Sequence, residues 1–158
     1  MSIFGIGIDR VLLARIAAAS ARWGERFARK VLGPGEWSIY SQRLHTHPQR
    51  AVQFLATRFA AKEAFAKAMG IGLRSPMCMP HLEVLNDGCG KPLAVAHGDL
   101  QAWLSAHRLR AHVSLSDETD AALAMVLLER VESTPAQARK ALREGGKTAS
   151  GLQGRASG

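Results

Sequence analysis

The chain has 158 residues, of which 47% are hydrophobic and 22% charged, and its formal net charge is +8. A length of about 150 residues predicts one globular domain that can bury a core without disulfides or a structural metal, and it excludes a multidomain protein. No segment approaches the ~20 apolar residues of a membrane span, and no cleavable leader is recognisable. We therefore expect a cytoplasmic protein in which both cysteines, Cys78 and Cys89, are reduced.

The positive charge is concentrated in two segments. Residues 10–30 carry a net charge of +5 and residues 133–158 a net charge of +4, whereas residues 31–132 sum to zero. The last segment is poor in large apolar residues and rich in Gly, Ser and Ala, a composition that predicts a flexible basic tail. We therefore expect the folded domain to occupy residues 1–132.

In chain order, the first half of the sequence predicts a short strand followed by helices. The strand is the apolar run at residues 3–8, which Asp9 ends. Helical periodicity follows, with interruptions at Gly24 and at the break Gly33-Pro34-Gly35. The predicted helices span residues 11–23, 25–32, 36–43 and 50–69. The last of them has the strongest helical pattern and is the predicted centre of the fold.

After residue 80 the hydrophobic period changes from helical to alternating. Two strands joined by a Gly-containing turn predict a hairpin, and a helix and two further strands follow. The strands span residues 81–86, 92–96, 111–116 and 122–129, and the helix spans residues 100–107. This order is typical of an α+β fold in which an antiparallel sheet packs against a long central helix.

Two carboxylates are candidates for chemistry because neither contributes to apolar packing. Asp9 follows an apolar strand, where a turn cap is the simpler interpretation. Glu63 lies near the apolar side of the long helix, and Lys67 follows one turn later, so taken alone the two are typical of a helix salt bridge. Arg58 and Lys62 form a second pair at helical spacing, and both are suited to phosphate.

The strand at residues 111–116 adds a polar face. Strand alternation places His112, Ser114 and Ser116 on one side, which indicates either a solvent-facing edge or a ligand. Two carboxylates, three cations and a polar strand face together predict a site for Mg²⁺ and phosphate, since Mg²⁺ takes one or two carboxylates and completes its shell with water and substrate phosphate.

Four motifs occur in a fixed order along the chain. They are G-I-G-I-D at 5–9, R-F-A-A-K-E-A-x-x-K at 58–67, G-K-P at 90–92 and H-V-S-L-S at 112–116. In this order the chain resembles the holo-[acyl-carrier-protein] synthases, the short bacterial type of 4′-phosphopantetheinyl transferase. The resemblance covers residues 1 to about 132 and leaves the tail outside it.

The resemblance implies transfer of 4′-phosphopantetheine from coenzyme A to a serine of apo acyl carrier protein, in support of fatty acid biosynthesis. It implies that Asp9 and Glu63 hold Mg²⁺, and that Glu63, directly or through a metal-bound water, accepts the serine proton. Lys67 would stabilise the phosphates and assist the leaving group. The residues expected to line the coenzyme A cleft are Arg58, Lys62, Lys67, Gly90, Lys91, Pro92, His112 and Ser114.

Two positions depart from the pattern of this family. Arg10 follows the first aspartate, where many members have an apolar residue. Asp117 and Glu118 follow the S-x-S segment, where many members have a histidine. The second departure puts a role for a second strand-end histidine in doubt.

The family also implies a homotrimer whose coenzyme A clefts lie at subunit junctions. The basic segment near the start then gains a partner, because acyl carrier proteins are strongly acidic. On one continuous helix Arg15, Arg22, Arg26 and Arg29 would form a single stripe, which we expect to dock the carrier protein unless Gly24 interrupts it. A solvated helix face is the simpler interpretation.

Two alternatives remain at this point. One is a phosphopantetheinyl transferase for the carriers of polyketide or peptide synthases. The other is a small nucleic-acid-binding module, which a pI near 10.3 allows. The presence of only one tyrosine argues against it. We therefore expect neither nucleic acid nor a membrane as partner.

Overall fold

The computed structural model describes residues 2–132, so the tail predicted at residues 133–158 lies outside the described residues. The strands are β1 (Ser2–Leu12), β2 (Leu82–Asn86), β3 (Pro92–Ala96), β4 (Leu109–Asp117) and β5 (Ala121–Arg130). The helices are α1 (Leu13–Trp23), α2 (Glu25–Val31), α3 (Pro34–Thr46), α4 (Pro48–Met69) and α5 (Gly98–Ala106), with a 3₁₀ turn at Met79–His81. In this part of the chain no helix has the length and apolar character needed to cross a membrane.

The strands form two antiparallel sheets. Sheet A has the order β1-β5-β4, and sheet B is the hairpin of β2 and β3. Across sheet A, Asp9 lies beside Ala124, which in turn lies beside Leu115. The combination of helices with antiparallel sheets confirms the predicted α+β class.

Helix α4 covers one face of sheet A and is the central helix of the fold. On β5, the residues that face α4 are buried, and they are Ala122, Ala124, Val126 and Leu128. The alternate residues of β5 face outward, as the period of two along a strand requires. The core therefore lies between α4 and one side of sheet A.

The contact between β1 and α4 depends on two glycines. A Cβ atom placed on Gly7 would overlap the carbonyl oxygen of Ala64, and one on Gly5 would overlap the carbonyl oxygen of Ala68. Ala64 and Ala68 are themselves small and buried. Strand and helix backbones can therefore approach each other closely only because glycine lies on the strand side.

β1 is longer than the sequence predicts, and Asp9 lies inside it rather than after its end. The strand continues to Leu12 because each residue from Gly5 to Leu12 has a pairing partner on β5. Helix α1 accordingly begins at Leu13, so the prediction that this helix begins at residue 11 is wrong.

The segment Gly33-Pro34-Gly35 begins a helix instead of only separating two. Pro34 is the first residue of α3, where its fixed φ is favourable and its missing N–H is not needed. The backbone N–H of Gly33 donates a hydrogen bond of 3.0 Å to Oε2 of Glu36, which satisfies one free donor at this helix end. The predicted helix at 36–43 therefore extends in both directions.

Replacing Gly7 by alanine is expected to lower the free energy of unfolding by about 3 kcal/mol, because the new methyl group forces α4 away from β1. Urea unfolding followed by circular dichroism measures the change. Gly88→Ala is the matched control, since no atom lies within 4 Å of its new Cβ, and it should change stability by less than about 0.5 kcal/mol. Equal small changes in both variants would contradict the close contact.

Candidate active site

Asp9 and Lys67 meet beside the contact of α4 with β1. The Nζ atom of Lys67 donates hydrogen bonds to Oδ1 of Asp9 (2.8 Å) and to the backbone carbonyl oxygen of Ile8 (2.9 Å). The side chain of Lys67 is 53% exposed and that of Asp9 is 17% exposed, so a ligand can reach both from solvent. Lys67 is thus held by β1 rather than by Glu63, its neighbour one turn earlier.

Glu63 lies close enough to this pair for its ionisation to respond to both members. Burial raises the pKa of the Glu63 carboxyl, and the negative charge of Asp9 raises it further. The positive charges of Lys67 and Arg15 lower the same pKa. The structure therefore brings together the three residues predicted to be catalytic or metal-binding, and it places Arg15 near them.

Two neighbouring carboxylates fit an open Mg²⁺ site. Mg²⁺ is commonly held by one or two carboxylates, with water and substrate phosphate completing its shell. Within residues 2–132 no group of three or more His, Cys, Asp or Glu side chains could hold a metal by itself. Asp9 and Glu63 repel each other, since Asp9 raises the pKa of Glu63, and a divalent cation held by both would relieve that repulsion. The donor set therefore fits a Mg²⁺ that also takes oxygen from a phosphate ligand.

Arg58 lies in a cleft between the β2–β3 hairpin and β4. The cleft has a volume of about 310 Å³, and Gly90, Pro92 and Ser114 line it together with Arg58. All four residues belong to the set predicted to contact coenzyme A. The hairpin and the end of β4 thus bring together residues that are far apart in the sequence.

The guanidinium of Arg58 is fixed by three hydrogen bonds. Nε donates to the carbonyl oxygen of Val84 (3.0 Å), Nη1 to Oγ1 of Thr57 (3.1 Å) and Nη2 to Oδ1 of Asn86 (3.3 Å). The guanidinium also lies over the ring of Phe54, 4.0 Å from its centroid. Burial lowers the pKa of Arg58 to about 10, so the group stays charged at neutral pH. An immobilised cation of this kind suits a phosphate group.

A second cavity of about 290 Å³ adjoins the first and shares Thr57, Arg58 and Asp117 with it. The basic or imidazole side chains that it adds are Arg43, His47 and Arg50. The sequence reasoning missed these residues. A signal was present, because residues 43–50 hold two arginines and two histidines.

The two regions lie on different flanks of α4. Successive helix residues are rotated by about 100°, so Glu63 and Lys67 point about 140° and 180° away from Arg58. None of Asp9, Glu63 and Lys67 lines the cleft that contains Arg58. A single chain therefore presents two separate half-sites.

Comparison with known proteins identifies the family of this chain. A family model described as the 4′-phosphopantetheinyl transferase superfamily matches residues 5–126. The chain belongs to this superfamily. A holo-[acyl-carrier-protein] synthase of Methylibium petroleiphilum is 50% identical over 131 residues, which cover 83% of this chain and 99% of the relative. The synthase of the same name from Bordetella pertussis is 48% identical, covering 81% of this chain and 84% of the relative.

Solved structures of holo-[acyl-carrier-protein] synthases have the same fold. The crystal structure from Neisseria meningitidis matches with a TM-score of 0.75 and 39% identity, covering 82% of this chain and 100% of that one. The Bacillus anthracis structure, in complex with CoA (3′,5′-ADP), matches with a TM-score of 0.68 and 32% identity, covering 82% of this chain and 98% of that one. The resemblance inferred from the four motifs is therefore confirmed.

Two residues predicted to bind coenzyme A in this transferase lie outside the cleft. His112 projects from the outer face of sheet A, where its Nε2 is 2.7 Å from Oε2 of Glu129 and hydrogen-bonded to it. Lys91 is exposed in the turn between β2 and β3, and its backbone N–H donates to Oδ1 of Asp87 (2.9 Å). Their contacts with coenzyme A stay predictions.

Lys62 does not lie in the cleft, so its predicted contact with coenzyme A is wrong. Its side chain is fully buried, and its Nζ atom donates to Oε2 of Glu36 and to the carbonyl oxygen of Val31. Burial lowers the pKa of the Lys62 ammonium, while Glu36 opposes that shift. Lys62 is therefore a structural cation that connects α4 to the beginning of α3.

The four arginines predicted to share one stripe lie on two helices. Gly24 has a φ of 57° and ends α1, so Arg15 and Arg22 belong to α1, whereas Arg26 and Arg29 belong to α2. The guanidinium of Arg15 lies 5.9 Å from the centroid of the Phe59 ring, beside the half-site of Glu63. The condition for a single stripe, one continuous helix, is not met, because Gly24 interrupts it and the chain turns between α1 and α2.

Replacing Lys62 by methionine is expected to destabilise this transferase by about 3–5 kcal/mol, because the carboxylate of Glu36 stays buried without its cation. The change in the urea midpoint, at constant slope, measures the loss. Lys30→Met is the control, because Lys30 is exposed on α2, and it should cost less than about 0.5 kcal/mol.

The double variant Lys62→Met with Glu36→Gln separates loss of the ion pair from loss of packing. Neutralising the carboxylate should recover part of the stability that Lys62→Met loses. A Lys62→Met protein as stable as the wild type would show that Lys62 does not have the buried structural role assigned to it.

Proposed function

We propose that this chain transfers the 4′-phosphopantetheine group from coenzyme A to a serine hydroxyl of apo acyl carrier protein. The products are holo acyl carrier protein and adenosine 3′,5′-bisphosphate, and the reaction supports fatty acid biosynthesis. The observation that carries the proposal is the cluster of Asp9, Glu63 and Lys67 in the fold of a family whose relatives are named holo-[acyl-carrier-protein] synthases. The cleft around Arg58 supplies a place for the nucleotide half of coenzyme A.

Asp9 and Glu63 are the residues that would hold Mg²⁺. When bound, the ion neutralises negative charge on the pyrophosphate of coenzyme A and on the leaving phosphate. Mg²⁺ is proposed here because these ligands leave room for water and phosphate.

Glu63 is the proposed proton acceptor. Its raised pKa, caused by burial and then by Asp9, brings its proton affinity closer to that needed at neutral pH. As the serine oxygen forms its bond to phosphorus, the serine proton passes to Glu63 directly or through an intervening water. The bond between phosphorus and the bridging oxygen breaks, and adenosine 3′,5′-bisphosphate leaves with the electron pair.

Lys67 is placed to stabilise the phosphates during this step. Its ammonium group donates to Asp9 and to the carbonyl oxygen of Ile8, and these two contacts fix its position. A positioned cation beside a transferring phosphoryl group stabilises the developing charge on its oxygens. Lys67 would therefore donate hydrogen bonds to phosphate oxygens and assist the departure of the leaving group.

The cleft around Arg58 is proposed to hold the adenosine 3′,5′-bisphosphate half of coenzyme A. Arg58 is fixed and charged, and Arg43 and Arg50 line the adjoining cavity. These cations suit the 3′-phosphate, because guanidinium groups bind phosphate through paired hydrogen bonds. Gly90, Pro92 and Ser114 would line the path of the nucleotide.

We propose a homotrimer in which each site forms between two subunits. The outer face of sheet A exposes large apolar residues, and these are Ile6, Ile8, Leu123 and Met125. His112 and Ser114 project from the same outer face beside them, because β4 and β5 are neighbours. An exposed apolar face of this kind is typical of a protein contact. Contact between subunits would also allow the two half-sites on opposite flanks of α4 to meet.

Arg15, Arg22 and Arg26 are the proposed docking residues for the carrier protein. Arg15 is the best placed of them, because its charge acts on Glu63 and a serine must approach that carboxylate. Arg22 and Arg26 flank the exposed indole of Trp23 and extend a basic surface away from the site. An acidic partner would be attracted to this surface and oriented by it. The cytoplasmic location stays a prediction from the sequence.

Mass spectrometry of apo acyl carrier protein incubated with this protein, coenzyme A and Mg²⁺ tests the reaction. The carrier should gain one phosphopantetheine group, and Glu63→Gln should lower kcat by a factor of about 10² or more, because the amide cannot accept the serine proton. Asp99→Asn is the control, since Asp99 is exposed in the first turn of α5 and lines neither of the two cavities around Arg58. No mass shift with the wild-type protein would overturn the proposed function.

Mixing of inactive variants tests the shared site. Glu63→Gln and Arg58→Gln should each be nearly inactive, whereas trimers that contain both variants should regain about a third of the wild-type activity, because one of the three junctions in each mixed trimer combines two intact half-sites. Co-expression with two different affinity tags isolates the mixed assemblies. Glu63→Gln mixed with Lys67→Ala is the control that should not recover, because both changes affect one half-site. Absence of recovery in both mixtures would place the whole site in one chain.

A further inference from the structure

The cleft contains a carboxylate that the proposed reaction does not use. Asp117 lines both adjoining cavities, together with Arg58 and Thr57. It is the last residue of β4 and pairs with Ala122 of β5, so its backbone is fixed by sheet A. Among the described residues its side chain has no hydrogen bond or ion pair, and its charge acts on Arg58 through space. A solvent-exposed carboxylate without a protein partner in residues 2–132 thus lines a site that also contains cations.

The other acidic residues of this turn are already engaged. Glu118 accepts a hydrogen bond of 3.1 Å from Oγ of Ser116, and Asp120 lies 3.7 Å from the guanidinium of Arg10. Only Asp117 of the three lines the cavities. The turn therefore presents one carboxylate to the cleft, rather than a diffuse acidic patch.

Asp117 is not needed to hold Arg58 in place. Three of the five N–H groups of Arg58 donate to Val84, Thr57 and Asn86, and the guanidinium lies over a ring. A carboxylate beside Arg58 also weakens the attraction of the cleft for phosphate, since like charges repel. Asp117 lowers the affinity of the cleft for phosphate and is not needed to position Arg58. Its presence is best explained by a ligand that donates a hydrogen bond to it.

We propose that Asp117 accepts a hydrogen bond from the adenosine half of coenzyme A and makes the transferase selective for that nucleotide. This inference rests on the proposed function. The phosphates of this half are acceptors at neutral pH, so they cannot supply the hydrogen. Its donors are the 6-amino group of adenine and the 2′-hydroxyl of the ribose. A carboxylate satisfies either donor and rejects a ligand that presents an acceptor there.

Three ligands test which of the two donors Asp117 recognises. They are coenzyme A, an analogue with hypoxanthine in place of adenine, and the 2′-deoxy analogue. The wild-type protein should bind the analogue that lacks the recognised donor about tenfold more weakly than coenzyme A. Asp117→Ala should raise the KM for coenzyme A by about the same factor, leave kcat nearly unchanged and bind all three ligands alike. Asp117→Asn, which keeps an acceptor oxygen, should lose less.

Calorimetric titration of each ligand and initial rates of transfer provide the two readouts. Glu118→Ala is the matched control, because it removes a neighbouring carboxylate that bonds to Ser116, and it should keep the wild-type preference. An Asp117→Ala protein with unchanged or lower KM and an unchanged preference among the ligands would overturn the inference while transfer continues. Absence of transfer by the wild-type protein would instead overturn the proposed function, and the titrations would still decide whether Asp117 contacts the nucleotide.

Discussion

The close contact of β1 with α4 is the constraint on which the proposed chemistry depends. Gly5 and Gly7 leave no side chain between the strand and the carbonyl oxygens of Ala68 and Ala64. At this separation the ammonium group of Lys67 reaches Asp9 and the backbone of β1. A larger residue on the strand would move the helix outward and open these hydrogen bonds. The distance between Asp9 and Lys67, two of the proposed site residues, therefore depends on the absence of side chains at Gly5 and Gly7.

A buried ion pair fixes the strand that borders the cleft around Arg58. Oε1 of Glu36 accepts a hydrogen bond of 2.7 Å from the backbone N–H of Val84, and Oε2 accepts one from Lys62. The carbonyl oxygen of the same Val84 accepts the hydrogen bond from Arg58. Breaking such a pair is costly because one charge remains buried. The position of β2, and with it the orientation of Arg58, therefore depends on a buried charge pair that does not line the cleft.

Local patterns in the sequence were sufficient for some of the architecture and part of the site. The hairpin strand β3 matches its predicted bounds, because alternation and the glycine turn act over a few neighbouring residues. Helical spacing also placed Glu63 and Lys67 on adjacent turns. Helical spacing did not show that the side chain of Lys62 points into the interior. The period of a helix predicts which residues are neighbours on that helix, but not which other elements pack against each of its sides. The cavity with Arg43 and Arg50 depends on how α3 and α4 meet, which no local period encodes.

Lys62 and Glu63 are adjacent in the sequence but lie in different environments. The rotation of about 100° between successive helix residues points the charge of Lys62 into the interior and that of Glu63 toward Asp9 and Lys67. The position of a residue around the axis of α4 therefore decides both whether its side chain is buried and whether it can take part in the proposed reaction. A one-residue deletion earlier in α4 would rotate the carboxylate of Glu63 into the buried space that Lys62 occupies, and it would turn the proposed proton acceptor away from Asp9 at the same time. Stability and turnover in this segment cannot evolve independently through changes in length.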